Sequence, residues 1–490
     1  MRILYIDIDT QRADHFGCYG YHRSTSPNID RIAARGMQFN NVHASDTPCL
    51  PSRSALVTGR FGIHNGVVNH GGADADPVIG GPDRQFWSEM QLNSFPSRLK
   101  RAGLRTATIS SFAQRHSAFH WYAGFDEAQR VPGSFGLETA DQVWDLARGW
   151  LDRNGKDDDW FLHVHLWDPH TPYRAPASFG DPFKDAPLPA WLTEDVRAAH
   201  WAMPGPHSAQ ECNGFAPNPR MLEVFPRQPQ AIPDMAAVRQ MFDGYDTGVL
   251  YADAYVGRLM NQLAALGIDD DTAIMISSDH GETLGELNIY GDHQSADQKT
   301  THIPMILLWP GAHLANGRKF DAFHYQIDVS ATILELLAVK VPDTWDGQSF
   351  AEAIKRGEDT GREYLVLSQG AWTCQRGVRW DNYLLLQTLH DGYHCWDDVM
   401  LFDLDKDPHE TNNIAAHDDD LREAGLKRLG AWHGEMMKAP ARGRDPLQNV
   451  VKEGGPYHTR GRLKAYLARL RETGRSTYAD ALEEKFATEV

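Results

Sequence analysis

Cysteine is scarce in this chain: five among 490 residues, with no paired spacing. That excludes a disulfide framework as the basis of the fold. Positive charge is in deficit too. Lys and Arg number 48 against 66 Asp and Glu, a net charge of -18 with 23 His counted neutral. Without an overall basic field, nucleic-acid binding is excluded as a main role, although a small anion can still be held in a local basic pocket. No apolar run is long enough to span a bilayer. The opening Met1-Arg2-Ile3-Leu4-Tyr5 enters an apolar segment at once, without the charged and apolar regions of a secretory leader. These absences predict a cytoplasmic protein with no membrane and no nucleic-acid partner.

What is present is a strand and helix alternation over most of the chain. Ile3 to Asp9, Thr106 to Ser110, Trp160 to Leu166, Thr272 to Ser277 and Pro304 to Trp309 read as buried strands. Between them, Asp30 to Gly36, Phe95 to Gly103, Asp141 to Asn154, Met235 to Leu266 and Ile327 to Leu337 carry helical signals. The alternation predicts an α/β fold, a large mostly parallel sheet sandwiched by helices. Residues 172–233 are Pro-rich and irregular, which predicts a long functional loop region. After about residue 355 the pattern changes. Glu363 to Ser368, Cys374 to Trp380, Tyr383 to Leu386 and Met400 onward predict a smaller antiparallel sheet, followed by a helix over Leu421 to Met437. Three segments follow: a catalytic α/β part over 1–355, a C-terminal α+β subdomain over 356–440, and an extension over 441–490. In the extension, Leu463 to Leu470 offers either a packing helix or a contact between copies in a homo-oligomer.

Acids and histidines gather behind the predicted strands: Asp9, the run His165 to His170, and Asp279-His280. In sheets of this kind sites form at the carboxyl ends of strands. One further stretch is the most specific. Cys49-Leu50-Pro51-Ser52-Arg53 is followed by Leu56-Val57-Thr58-Gly59-Arg60. Pro51 suits a first helical position, which places Cys49 at a helix N-terminus where backbone N–H groups favour an anion. Arg53, about one turn on, would aim at the same anion. This Cys-x-Pro-Ser-Arg box with Leu-x-Thr-Gly-Arg resembles the signature of the type I sulfatases, members of the alkaline-phosphatase-like superfamily. The resemblance extends to the small C-terminal sheet, with its Leu401-Phe402-Asp403-Leu404 and Asp407-Pro408-His409-Glu410 segment.

The resemblance implies that a formylglycine-generating enzyme oxidises Cys49 to an aldehyde, hydrated to a gem-diol. One oxygen of the diol attacks sulfur, and the other regenerates the aldehyde as sulfate leaves. It further implies a divalent metal held by Asp9, Asp279, His280 and the modified Cys49, calcium first because carboxylates suit a hard cation. Many sulfatases carry Asp-Asp where this chain has Asp9-Thr10, and Asn where it has His280; the imidazole widens the choice towards manganese or zinc. Asp7 lies on the same strand face as Asp9 and reads as a buried acid with another partner. His170, in His165-Leu166-Trp167-Asp168-Pro169-His170, takes the family position that contacts the sulfate and protonates the leaving oxygen.

Two departures from the family pattern stand out. The Gly-Lys-x-His segment falls on Ser110-Ser111-Phe112-Ala113, so Ser111 replaces the Lys and Ala113 the His; Arg115 and His116, just beyond, are candidate substrate-binding substitutes. The later family Lys falls on His293. The phosphonate monoesterase branch also lacks the Lys and His pair and keeps an Asp-His metal half. Three functions therefore stand open: a sulfatase acting on a small anionic ester, with a carbohydrate sulfate preferred; a hydrolase of phosphonate monoesters or phosphodiesters; and a catalytically silent metal-binding member.

Overall fold

The computed structural model describes residues 1–78, 88–311 and 317–489. Eight strands form the principal sheet: β1 (Arg2–Ile8), β2 (Met37–His43), β3 (Arg105–Ile109), β4 (Glu127–Gln129), β5 (Trp160–Leu166), β6 (Thr272–Ser277), β7 (His302–Leu308) and β8 (Arg318–Tyr325). Their spatial order is β8-β2-β7-β6-β1-β5-β3-β4. β6, β1, β5, β3 and β4 run parallel. β7 is antiparallel to both of its neighbours, β2 and β6. The expected mostly parallel sheet is thus present, with one reversed strand.

β1 is the first strand of the chain and lies in the middle of the sheet. Its sequence Arg-Ile-Leu-Tyr-Ile-Asp-Ile is buried from Ile3 onward, the near-continuous apolar run of a strand covered on both faces. Helices cover those faces. The longest, Met235–Leu266, is opened by Asp234, whose side chain accepts the Ala237 N–H, and closed by Gly267 in the left-handed conformation. Within it Gly248 lets the helix pass close to the Asp168 carbonyl; a Cβ there would sit 2.5 Å from that oxygen. The helix thereby fixes the loop that follows β5.

A second sheet is built from β9 (Tyr364–Gln369), β10 (Cys374–Trp380), β11 (Tyr383–His390) and β12 (Val399–Asp403), all antiparallel in sequence order. Its edge strand β9 also pairs, in parallel, with the two-residue strand Asp46–Thr47. That short strand immediately precedes the helix Cys49–Thr58, so the helix starts at the seam of the two sheets. Pro51 is its third residue and not its first.

Other differences from the sequence reading have physical causes. β2 and β8 carry polar or exposed residues along their length and pair with an irregularity, which breaks the alternation that marks a strand. The 172–233 region is irregular but holds the short helices Glu194–Ala202 and Pro219–Val224. The final segment contains the helices Pro446–Lys452, Leu463–Glu472 and Ser476–Lys485. Leu463, Tyr466, Leu467 and Leu470 are buried against Tyr393, Leu482 and Phe486 of the same chain, so this apolar face is covered from within. No helix among the described residues is long and apolar enough to cross a membrane.

Asp168, in the loop after β5, is fully buried and accepts the Ala140 N–H at 3.1 Å. Burial pushes its pKa up to about 7, with the Ala140 N–H and Arg174 opposing. A carboxyl whose folded pKa lies above its unfolded value near ~3.9 binds its proton more tightly when folded, so its contribution to stability falls as pH rises between the two. Asp168→Asn keeps the acceptor and cannot ionise. Its stability relative to wild type should rise between pH 5 and pH 7, by up to about 1.4 kcal/mol per pH unit, and level off above that. Paired melting curves across this range check it. A difference that stays flat with pH would show that Asp168 is not carried as a neutral acid.

Candidate active site

Two polar ladders run through the buried centre of the sheet. Asp7 and Asp9 lie on one face at the end of β1, and His163 and His165 on the same face of β5, with Asp7 paired in register to His165. Such alternation inside an apolar strand is costly unless every polar group is matched. The match is Arg53, projected from the helix Cys49–Thr58 and wholly buried. Its guanidinium pairs with Asp7, with Asp9 at 2.9 Å and with Asp279 at 3.1 Å. It also lies 2.7 Å from His165 and over the rings of Phe112 and Trp121. Burial alone would favour loss of its proton, but Asp279, Asp7 and Asp9 outweigh this and hold its pKa well above the usual value. The sequence reading aims Arg53 at a substrate anion; in the structure the carboxylates take up its guanidinium.

The helix that carries Arg53 is pinned to the opposite strand end. Ser52 Oγ donates to the Asp279 carbonyl at 2.6 Å, and the Gln326 side-chain amide donates to the Ser52 carbonyl at 2.9 Å. On the other side, the turn after β1 is fastened by Tyr245, which donates to the Thr10 carbonyl at 2.8 Å and accepts from the Arg12 N–H at 2.9 Å. Thr10 holds φ at 55°, a left-handed conformation that a β-branched residue adopts only under constraint. Its hydroxyl donates to the Asp9 carbonyl at 2.8 Å.

Cys49, 1% exposed, sits where these elements converge. Its Sγ, one ligand atom each of Asp9, Asp279 and His280, all lie within 4.8 Å of one another. His280 Nδ1 donates to the Gly281 carbonyl at 2.8 Å, which leaves Nε2 as the free lone pair, 3.0 Å from Cys49 Sγ. Asp9 Oδ1 and Asp279 Oδ2 are buried without a directed hydrogen bond among the described residues. For Asp279 Oδ2 the Arg53 Nε at 3.1 Å is close but badly aligned, so the ion pair there is one of proximity. Asp9 is held well below the usual carboxylate range: burial opposes this, and the bond from His165 with the charges of His170 and Arg53 wins. Asp279 goes the other way, raised by burial against the pull of Arg53.

His170 and His293 close the other side, and their ligand atoms form a second cluster with Cys49 Sγ. The rings of His280 and His293 are 4.1 Å apart, those of His170 and His293 5.4 Å. His170 Nδ1 is bonded to the Thr171 carbonyl, and its Nε2 lies 3.9 Å from Asp9 Oδ1. Burial lowers the pKa of both imidazoles well below the usual histidine value, with Asp9 opposing in each case. His293 Nδ1 stands 3.3 Å from Glu282.

Beside Leu50, the residue after Cys49, lies an open cleft of about 690 Å³, bordered also by His70, Arg115, His116, Tyr457 and His458 among others. Arg115 and His116, the two predicted substitutes, both line it. Ser111 and Ala113 do not: Ser111 Oγ accepts the Gly136 N–H at 2.7 Å, and Ala113 is packed in the apolar cluster beneath. Sequence reasoning singled out the run His165 to His170 without giving His165 a role, and it missed His163, His70 and His458. For His163 a signal existed, the polar alternation in β5. For His70 and His458 there was none.

Removing Arg53 tests the centre directly. Arg53→Met should cost about 3–5 kcal/mol of unfolding free energy in chelator at neutral pH, because three buried carboxylates lose their counter-charge. Urea denaturation measures it, and a loss below about 1 kcal/mol would show that the acids find other partners.

Residues 2–339 match the family model described as Sulfatase. Residues 285–427 match one described as N-sulphoglucosamine sulphohydrolase, C-terminal. An N-acetylglucosamine-6-O-sulfatase of Bacteroides thetaiotaomicron is 24% identical, over 84% of this chain and 82% of the relative. A multifunctional alkaline phosphatase superfamily protein, PehA of Trinickia caryophylli, is 25% identical over 80% of this chain and 85% of its own length. Among solved structures, one in complex with its substrate D-glucosamine-2-N,6-O-disulfate superposes with a TM-score of 0.70 at 21% identity, covering 91% of this chain and 99% of that one. The phosphonate monoester hydrolase of Silicibacter pomeroyi gives 0.67 at 19% identity, covering 92% and 97%. The last two likenesses bear on the fold, which is that of the alkaline-phosphatase-like enzymes. The family match spans the whole principal sheet and takes in every residue gathered around Cys49, and on that ground this chain belongs to the sulfatase family.

Proposed function

We propose that this enzyme hydrolyses a sulfate ester of a carbohydrate at the Cys49 centre, with formylglycine at position 49 and a divalent cation, calcium first, beside it. The observation that carries this reading is the convergence of Cys49, Asp9, Asp279 and His280, with an open cleft at the next residue, Leu50. The buried carboxylate oxygens left without a hydrogen bond and the free His280 Nε2 are a donor set that a divalent cation accepts. A cation there would supply Lewis-acid polarisation of the ester oxygens. The aldehyde hydrate would supply the nucleophilic oxygen. Burial, with Asp9 and Asp279, pushes the Cys49 thiol well above its ordinary pKa, so the chain's own groups keep an unmodified side chain protonated and weakly nucleophilic.

Arg53 acts as the positioning residue, fixing the three carboxylates around the reacting centre. His170 is the leaving-group acid, with His293 beside it. Burial disfavours the charged form of both; an anionic ester bound against them raises their proton affinity. The carbohydrate preference draws on the curated relatives, which include an N-acetylglucosamine-6-O-sulfatase and an ulvan-active sulfatase. A second reading, phosphonate monoester or phosphodiester hydrolysis, is favoured by one specific feature: the Ser111 and Ala113 positions carry no Lys and no His.

One experiment decides between these. An aryl sulfate and the matching aryl phosphonate are turned over by one protein batch, with Cys49→Ala alongside. Expected are a higher kcat/KM for the sulfate, a loss of many orders of magnitude in the variant, and an intact mass showing an aldehyde in place of the thiol in wild type. Wild-type-like activity of Cys49→Ala sinks the mechanism, and a preference for the phosphonate selects the second reading.

The acid role has its own signature. His170→Ala should slow esters of sugar alcohols at least about tenfold more than activated aryl esters, because an aryl oxide leaves with little proton help. His293 can share the role, so the double variant His170→Ala, His293→Ala is the control. Equal losses on both substrate types in the double variant would reassign these residues to anion binding.

A further inference from the structure

The cleft beside Leu50 is closed on one side by a loop that neither family match reaches. It belongs to the segment after the helix Pro446–Lys452, beyond residues 2–339 and 285–427. The loop is fastened to the site at several points. The His458 N–H donates to the Ala371 carbonyl at 3.1 Å, and the Tyr457 N–H to Asn69 Oδ1 at 3.3 Å. The His458 ring stacks on Trp372 with centroids 4.5 Å apart and planes at 20°. His70 links it to the nucleophile's neighbour: Nε2 stands 3.4 Å from the Leu50 N–H, and Nδ1 is 2.9 Å from His458 Nε2. In this chain His70 accepts at Nε2 and donates at Nδ1, so the proton of His458 sits on Nδ1. No acceptor for it stands among the described residues.

Exposed aromatics gather at the same place. Six large apolar side chains are exposed among the described residues, and two of them, Phe135 at 56% and Tyr457 at 51%, line this one cleft. Scattered exposed apolar groups need no explanation, but two at the rim of a polar cleft mark a binding surface. Tyr457 is also seated. Its ring lies over Gly71, where a Cβ would come within 2.5 Å of Tyr457 Cε2. A residue larger than glycine at 71 would lift the ring from its place.

We infer that Tyr457 and Phe135 grip the ring of the leaving alcohol, while the His70–His458 pair donates a hydrogen bond to a ring hydroxyl. The C-terminal segment would then set which alcohol the enzyme accepts. A saccharide fits both features, an apolar ring face for the aromatics and hydroxyls for the histidines; a plain aryl group fits only the first. The inference rests on the sulfate-ester reading, so its test does not depend on turnover.

The test uses the full chain with Cys49→Ala, titrated calorimetrically with a panel of monosaccharide sulfates, with an aryl sulfate and with ethyl sulfate. Adding Tyr457→Ala should weaken binding of at least one saccharide sulfate tenfold or more relative to ethyl sulfate, a difference of about 1.4 kcal/mol. Adding Tyr457→Phe should restore it to within about threefold, since the ring is kept. His458→Gln should weaken the saccharide more than the aryl sulfate. Melting curves establish that each variant is folded; Tyr457 is exposed enough that its loss should leave them unchanged. Equal weakening of saccharide and ethyl sulfate overturns the inference, as does the absence of millimolar binding by every saccharide sulfate in the panel. An aryl sulfate that loses as much as the saccharide to His458→Gln overturns the hydrogen-bond part. Failure of the sulfate-ester reading appears elsewhere, as a wild-type protein that hydrolyses no sulfate while its binding still responds to Tyr457.

Discussion

The guanidinium of Arg53 holds this molecule's centre together. Three carboxylates and two histidines lie in a region with almost no water, and none of them could be buried there alone. Arg53 joins the end of β1, the end of β6 and the helix that begins at Cys49 through one planar, permanently charged group. The cost of burying it is offset because each edge of the fork meets an acid. The arrangement has a consequence for placement. Asp9 and Asp279 cannot rotate away without leaving Arg53 uncompensated, so the oxygens they turn towards Cys49 are fixed by an ion-pair network rather than by packing alone.

The cleft depends on that centre but is made by other parts of the chain. Its floor comes from the helix of Cys49 and its neighbour Leu50, one wall from Arg115 and His116 after β3, and another from the loop at Tyr457 and His458. The acids and histidines are thus housed at the strand ends of the principal sheet, while the cleft is lined from other segments. A rigid centre with a variable rim is the usual way one fold serves many substrates.

Much of the centre was legible in the chain itself. Asp9, Asp279-His280 and His170 each follow a strong apolar strand, and strand ends are where sites gather. The Cys49 box is specific enough to stand alone, and His293 could be placed by counting from Pro304. Other parts were hidden for identifiable reasons. His163 and His165 lie inside a strand that reads as core, and their partners Asp7 and Asp9 are more than 150 residues away, so the pairing across β1 and β5 is invisible without the register. β2 and β8 carry polar residues that blur their period. Tyr457 and His458 sit in a segment with no local signal, and only the tertiary fold brings them over Leu50. The ion pairs of Arg53 were hidden for a related reason: the sequence gives its distance from Cys49 but not the three acids that meet it.

The short strand Asp46–Thr47 has a consequence in time. It is completed only when β9 pairs with it, and the Thr47 hydroxyl reaches a carbonyl 321 residues further along. The helix that follows, with Cys49 buried at its start, gains that neighbour only once β9 has been made. At about 5–20 residues synthesised per second, roughly 15–65 s separate the emergence of Cys49 from that of Ser368. The folded chain leaves Cys49 1% exposed. A modifying enzyme of the kind proposed for Cys49 would therefore meet the thiol most readily in that interval, before the chain has folded around it.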